Sequence, residues 1–424
     1  MSDKNRVFIT GYGALTACGS TPSEAWDAVQ TGQSGIAPIE HWDLPGWQYP
    51  LGGEIKQFQP AKLLPDRKLM KVISRQDVMG IHAAIQAVEH SQFIQYRDTL
   101  ADSNPYNEQT AVYVGSPGNK YFQQYDFLKL VAEAQDDMKV FAEKLFNEVH
   151  PMWLLRILPN NVLAYTGMTY GFKGPNHNFT NHAVGSMQAI IEAYHAIQMG
   201  YAQRAVVVGY DMGVEPQALF YYEKLGLISK KHLKPFDAQH DGTILAEGAA
   251  ALVLESEASA VERNAVCYAE IVAGQSSTEA AGLFSIEDSG QQLASLLEQM
   301  LQNANVSPEL IDLVVAHGNG NKKSDETEAL ALQQVLPGRP VTAFKWATGH
   351  TIAASGIVDS VLATLAMQHH QIPGIGNFDS LAEACSGLNI SAAHRYTSEK
   401  MRYAMIVNRG FGAMNASILL RGCA

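Results

Sequence analysis

"GPNHNFTNHAVGSMQAIIEAYHAIQMG", residues 174–200, is the stretch whose reading decides the fold. A polar, turn-rich approach runs into a helical segment in which Met187, Ile190, Ile191, Tyr194 and Ile197 recur at helical spacing. Gly200 follows where a helix stop is expected. Ala183 lies near the start of that helix. Amides without intrahelical partners and the positive end of the helix dipole gather there, a setting that stabilises a thiolate or an oxyanion. The place is built for a reactive side chain, and a methyl group stands in it.

Around this stretch, the runs "RVFITGYG", "QTAVYVGS", "RAVVVGYD", "AALVLES", "IDLVVAHG", "RYAMIVNRG" and "ASILLRG" read as strands. Several are apolar at nearly every position, as a sheet covered on both faces requires, and their alternation with helical segments makes the fold class α/β. Two echoes suggest a duplication. "VYVGSPGN" (Val112 to Asn119) resembles "VVAHGNGN" (Val314 to Asn321), and "RAVVVGYDMG" from Arg204 resembles "RYAMIVNRGFG" from Arg402. Both offsets are about 200 residues. The expected organisation is two similar halves, residues 1–255 and 256–424, with loops from both around one central site. A helical, aromatic-rich insertion at about 119–165 interrupts the first half and reads as a cap or interface element.

Composition excludes several function classes. With 42 acidic and 30 basic side chains among 424 residues the formal charge is −12, which repels a nucleic-acid backbone. No apolar run is long enough for a membrane span and the start "MSDKNRVFITGYG" lacks the layout of a signal peptide, so a cytoplasmic protein is expected. Cys18, Cys267, Cys385 and Cys423 are widely spaced and read as reduced thiols. No metal-binding spacing occurs, and "GYGALTACG" lacks the full dinucleotide pattern, so neither a metal nor a nicotinamide cofactor is expected.

Three segments of the second half are rich in potential chemistry. "VVAHGNGNKKSDETEA" places His317 directly after a strand, at a glycine-rich turn. "FKWATGHTIAASG" holds Lys345 and His350 on the approach to another helix. "NRGFGAMNAS" forms a loop in which Gly410 and Gly412 flank Phe411, with amides that could face an oxyanion. Taken singly, a strand-end histidine is more often hydrogen-bonded structure, a lone lysine an ion-pair partner, and a glycine loop a turn.

Taken together and in order, these segments resemble the β-ketoacyl-acyl-carrier-protein synthases, condensing enzymes of the thiolase fold. The similarity starts at "RVFITGYGALTACGSTPSEAWDAVQTGQSGI", continues through "PFDAQHDGTILAEGAAALVLE" and closes with "GFGAMNASILL". The resemblance implies a five-layered αβαβα fold of two similar halves. It also implies a nucleophilic cysteine at the helix start, two histidines that support malonyl decarboxylation, and a lysine and a glutamate that hold the network. His317 and His350 match the histidines, Lys345 the lysine, Glu328 the glutamate, and Phe411 the loop aromatic whose amide joins the oxyanion hole. The carried substrate would be the phosphopantetheine arm of an acyl carrier protein, with no resident cofactor.

The match is ungapped through the helix, so the family's cysteine falls on Ala183, preceded by Asn181 and His182. Two threonines of the family's HGTGT pattern are Asn319 and Asn321, an aromatic of its "DGF" segment is Thr243, and its GFGGTN closure reads "GFGAMN". This pattern resembles a chain-length-factor subunit, which has lost the cysteine and pairs as a heterodimer with an active ketosynthase in polyketide, aryl polyene or fatty acid type elongation. The alternatives are a malonyl-carrier-protein decarboxylase using His317 and His350, and a synthase whose cysteine has been replaced by Ala183. Lys62, Arg67, Lys68, Lys71 and Arg75 form a cationic cluster suited to docking an acidic carrier protein, or equally a solvated helix face. Gly115, Ser116 and Pro117 are expected near the cavity or the dimer contact.

Overall fold

The computed structural model describes residues 5–423 except 44, 57, 119, 121–124 and 398. Ten strands form its main sheet: β1 Val7–Thr16, β2 Thr110–Gly115, β3 Asn176–Phe179, β4 Arg204–Met212, β5 Glu247–Ser256, β6 Ala269–Thr278, β7 Ile311–Val315, β8 Val341–Thr342, β9 Tyr403–Gly410 and β10 Met414–Gly422. Their spatial order is β8-β7-β9-β10-β6-β1-β5-β4-β2-β3. The first five and the last five repeat one plan. In each, the second strand runs parallel to the third and fourth, and the fourth, fifth and first follow in antiparallel pairs. Among the described residues the two sets of strands pair where Val7–Ile9 of β1 meets Ala269–Ile271 of β6. Both sequence echoes fall on matching members of the plan, β2 with β7 and β4 with β9; Asn119, the last residue of one echo, lies outside the described residues.

Five helices complete the layers: α1 Arg75–Ser91, α2 Gly185–Gln198, α3 Gln291–Ala304, α4 Lys322–Val335 and α5 Ser355–Gln368. Helix α1 covers the outer face of the first set of strands, and α3, with α4 against it, the outer face of the second. Helices α2 and α5 lie between the two sets and touch strands of both. This is the αβαβα arrangement expected of two similar halves. It explains the uniformly apolar strands: on β4, Ala205 and Val207 face the middle layer while Val206, Val208 and Tyr210 face α1.

Three strands escape the sequence reading. β3 has the sequence "NHNF", closes one edge of the sheet and is mostly exposed, so it carries no apolar run. β6 is buried at its start and polar in its second half, and β8 has two residues. The insertion, of which residues 119 and 121–124 lie outside the described set, contains helices Tyr125–Ala134, Met138–Glu148, Trp153–Ile157 and Asn161–Tyr170. It is tied to α1 by a buried ion pair: Asp77, which caps α1 together with Ser74, receives Lys120 Nζ at 2.5 Å and Asn161 Nδ2 at 3.1 Å.

Close packing sets the middle layer against the sheet. Gly115 ends β2 directly under the start of α2, where an added Cβ would stand 2.3 Å from the Ser186 amide nitrogen. Neither backbone can yield without shifting a core helix. Gly115→Ala is therefore expected to cost about 1–3 kcal/mol or more in urea unfolding. The control Gly118→Ala, whose new methyl would meet its nearest neighbour at 3.7 Å, should be close to neutral.

Candidate functional site

His317 follows β7 in a turn that needs glycine twice, at Gly318 (φ +42°) and Gly320 (φ +78°). The turn is pinned from α4: the carboxylate of Glu328 accepts the amides of His317 at 2.7 Å and Gly318 at 3.0 Å. His350 is fixed by backbone hydrogen bonds to Ile244 and Ala246, and its ring meets that of His317 edge to face at 5.3 Å. Burial, then the nearby Lys345 charge, pushes both imidazoles well below their ordinary pKa, so both are neutral at pH 7. His317 has an asparagine on each ring nitrogen, Asn408 Nδ2 at 3.4 Å and Asn319 Nδ2 at 3.3 Å. His350 Nδ1 is buried without a partner among the described residues.

Lys345 Nζ donates to Asp359 Oδ2 at 2.7 Å, both groups buried, whereas Glu328 is engaged with the turn. Burial raises the pKa of Asp359 and that of Glu328, the latter to about 7. Asp359 had a signal in the sequence, being the only acid in the otherwise uncharged helix α5. Arg409, at the end of β9, is a second buried cation missed by the sequence reading. Its guanidinium binds Glu279 at 2.9 Å, Thr327 Oγ1 at 2.8 Å and Asn415 Oδ1 at 3.0 Å.

The helix α2 begins from a strained turn. His182 has φ +51°, and Ala183, fully buried, follows it in the short 3-10 turn His182–Val184. The glycine loop lies against this turn, since a Cβ on Gly410 would stand 3.3 Å from the amide nitrogens of Ala183 and Val184. The other half repeats the device: Ile352 has φ +42°, the turn Ile352–Ala354 follows, and α5 begins. There a carboxylate takes the exposed amide. Asp211, at the end of β4, accepts Ala353 N at 3.1 Å and Met212 N at 2.7 Å, and burial raises its pKa to about 6.

Aromatic rings divide the space beyond. Phe411 stacks on His182 at 4.2 Å and 16°, Tyr222 Oη lies 2.9 Å from His182 Nε2, and Phe284 meets Phe411 edge-on at 5.3 Å. On one side is the more polar cavity, of about 280 Å³, whose lining includes His317, His350, Asn319, Asn321, Thr243 and Arg409. On the other is an apolar cavity of about 600 Å³ whose lining includes Pro117, Met212, Ala218, Tyr221, Leu225 and Ile352. Gly115 and Ser116 are buried beneath it. Of the cationic cluster, Lys62, Arg67, Lys68 and Lys71 are exposed. Arg75 is not part of it: its guanidinium turns inward to Glu247 at 2.8 Å and Ile55 O at 2.9 Å, over the ring of Phe58. Among the described residues no group of side chains is arranged to hold a metal ion, and no helix is long and apolar enough to cross a membrane.

Comparison with known proteins matches residues 4–260 to the β-ketoacyl synthase N-terminal domain and residues 268–379 to the β-ketoacyl synthase C-terminal domain. A 3-oxoacyl-[acyl-carrier-protein] synthase 2 of Synechocystis is 25% identical over 393 residues, 90% of either chain. Among solved structures, the ishigamide ketosynthase/chain length factor shares the fold at a TM-score of 0.88 and 23% identity, covering 99% of this chain and 100% of that one. A type II polyketide synthase acyl-carrier protein in complex with its ketosynthase shares it at 0.81 and 20% identity, over 100% of both chains.

Two measurements check the site's electrostatics. Asp359→Leu leaves the Lys345 ammonium buried and unpaired, and should lower stability by about 3–5 kcal/mol, whereas Lys345→Met combined with Asp359→Leu should recover most of it. Asp211 has a folded pKa of about 6 against an ordinary 3.8, so the native state alone holds its proton between those values. Its contribution is thus full below about pH 4 and is lost as pH rises through 6. Urea unfolding across that window should show wild type losing roughly 2–3 kcal/mol relative to Asp211→Asn.

Proposed function

This chain belongs to the β-ketoacyl synthase family, whose members elongate acyl chains, and we propose that it serves there as a chain-length-factor-like partner that shapes the acyl cavity of a cysteine-bearing synthase. The observation that carries this reading is Ala183. The strained turn, the free helix end, the glycine loop and both histidines are in place, and the one atom able to form a thioester is absent. A buried hydrogen-bond network of this kind is costly to dismantle one member at a time, so its persistence does not require catalysis.

Other features support a partnered, non-condensing subunit. Asn319 occupies Nε2 of His317, the side on which a thioester carbonyl would need a donor. The sheet ends at β3, with Thr180 just beyond it lining the apolar cavity, and Phe220 and Tyr221 are exposed nearby on the helix Pro216–Lys224. A partner strand added at that edge would bring a second subunit's acyl chain to the cavity mouth. The likeness in fold to a ketosynthase/chain length factor agrees with this reading, and the likeness to a ketosynthase bound to its carrier protein agrees with docking of an acidic carrier at Lys62, Arg67, Lys68 and Lys71. The His182–Phe411 stack counts against Ala183 being a single replacement in an active synthase, because the neighbouring position is rebuilt as well.

A second reading, malonyl-carrier-protein decarboxylation, is favoured by one observation, the lining of one cavity by the neutral imidazoles of both His317 and His350. The carboxylate–methylene bond would break, its electron pair would pass to the thioester oxygen as an enolate held by imidazole N–H groups, and solvent would return a proton to carbon.

Native mass spectrometry of the protein from its own cells, without overexpression, should find a one-to-one complex with a cysteine-bearing homologue; a homodimer alone would overturn the partner reading. Within that complex, Leu225→Trp should shorten the partner's product by at least one elongation unit. Carbon dioxide release from malonyl carrier protein that falls about 100-fold or more in His317→Ala or His350→Ala would instead establish the decarboxylase.

A further inference from the structure

Four aromatic side chains, His182, Tyr222, Phe284 and Phe411, line both the polar cavity and the apolar one. They form a shared wall, of which Tyr222 and Phe411 are also packed in the small apolar cluster around Leu219, Leu245 and Ile352. Phe284 is more than half exposed and stands at the rim, so the inner closure is made by the His182–Phe411 stack and by Tyr222, whose ring lies 5.5 Å from that of Phe411. Tyr222 holds the imidazole in place through the 2.9 Å contact at Nε2.

His182 occupies this position at two separate costs. A side chain at φ +51° is strained, and its Nδ1 is buried with no partner among the described residues. Burial pushes its pKa down to about 4, so at neutral pH it contributes shape and a hydrogen bond, not charge. A residue held against both strain and an unsatisfied nitrogen fits a task in the cavity better than a task in folding.

We propose that His182 is the specificity-determining residue of this chain's own cavities: its ring closes the passage between them, so that a thioester placed at His317 and His350 can bear only a short acyl group. The apolar cavity then fills only from its outer mouth. The proposal rests on the reading of both cavities as acyl-thioester sites, but not on the existence of a partner subunit. It would stand if the protein proved to be a homodimer.

The test uses the full chain and two hydrolysis-resistant probes, the acetyl and decanoyl amide analogues of an acyl-pantetheine thioester, titrated by calorimetry. Wild type should bind the acetyl analogue at least 10-fold more tightly than the decanoyl one. His182→Gly suits the left-handed backbone, removes the ring, and should tighten decanoyl binding at least 10-fold while changing acetyl binding less than 2-fold. Tyr222→Phe keeps the wall's volume but frees the imidazole, and should give an intermediate ratio, which keeps the test decisive if His182→Gly does not fold. Equal affinity of wild type for both probes, an unchanged ratio in the variants, or binding of neither probe to any of the proteins would overturn the proposal.

Discussion

Two helix N-termini meet in the buried middle of this molecule, and their free amides must be satisfied there. That constraint organises everything around them. Each helix begins from a left-handed residue, His182 or Ile352, which aims the following amide at the end of a strand from the other half. In the second half that strand end supplies Asp211, whose carboxylate settles on the Ala353 amide, and that terminus is closed. In the first half the corresponding surroundings are the glycine loop, with Gly410 against the amides of Ala183 and Val184. Backbone without a side chain leaves that end uncapped, so of two related ends one is closed by a carboxylate and the other faces only glycine.

Charge around that site is arranged to leave the histidines neutral. Lys345 is matched by Asp359 and Arg409 by Glu279, each within a hydrogen-bonded cage, while burial disfavours any further positive charge on His317 and His350. Two cations kept close but internally neutralised act as a field that holds imidazole uncharged without presenting a free anion-binding group. The polar cavity thus offers amide and imidazole hydrogen bonds more than charge, and the departures Asn319, Asn321 and Thr243 all line it.

Much of this was readable from the sequence because the central strands must be apolar on both faces, and the duplication repeats their terminal motifs. Ala183, His317, His350, Lys345 and Phe411 converge because they sit at strand or helix ends, which the pattern marks. The rest depends on three-dimensional choices that a linear pattern leaves open. Nothing along the sequence pairs Lys345 with Asp359; the fold brings helix α5 to the lysine, while Glu328 is taken by the His317 turn. Arg75 belongs by sequence to a cationic run, yet its position at the start of α1 points it at Glu247. The wall of His182, Tyr222, Phe284 and Phe411 comes from four distant segments, and β3 was hidden because an exposed edge needs no apolar residues.

The sandwiched middle layer also governs how such a chain is made. β1 leaves the ribosome well before its partners: its long antiparallel neighbour β5 follows only after about 240 residues, and β6 later still. Helix α2 emerges long before α5 arrives to pack against it, and Met187 of α2 lies against Gly356 of α5. The nascent first half therefore displays apolar surface throughout most of translation, a state that invites aggregation and engages holding chaperones. Burial of the middle layer is thus reached only once α5 has been made, so the packing of the first half depends on the second.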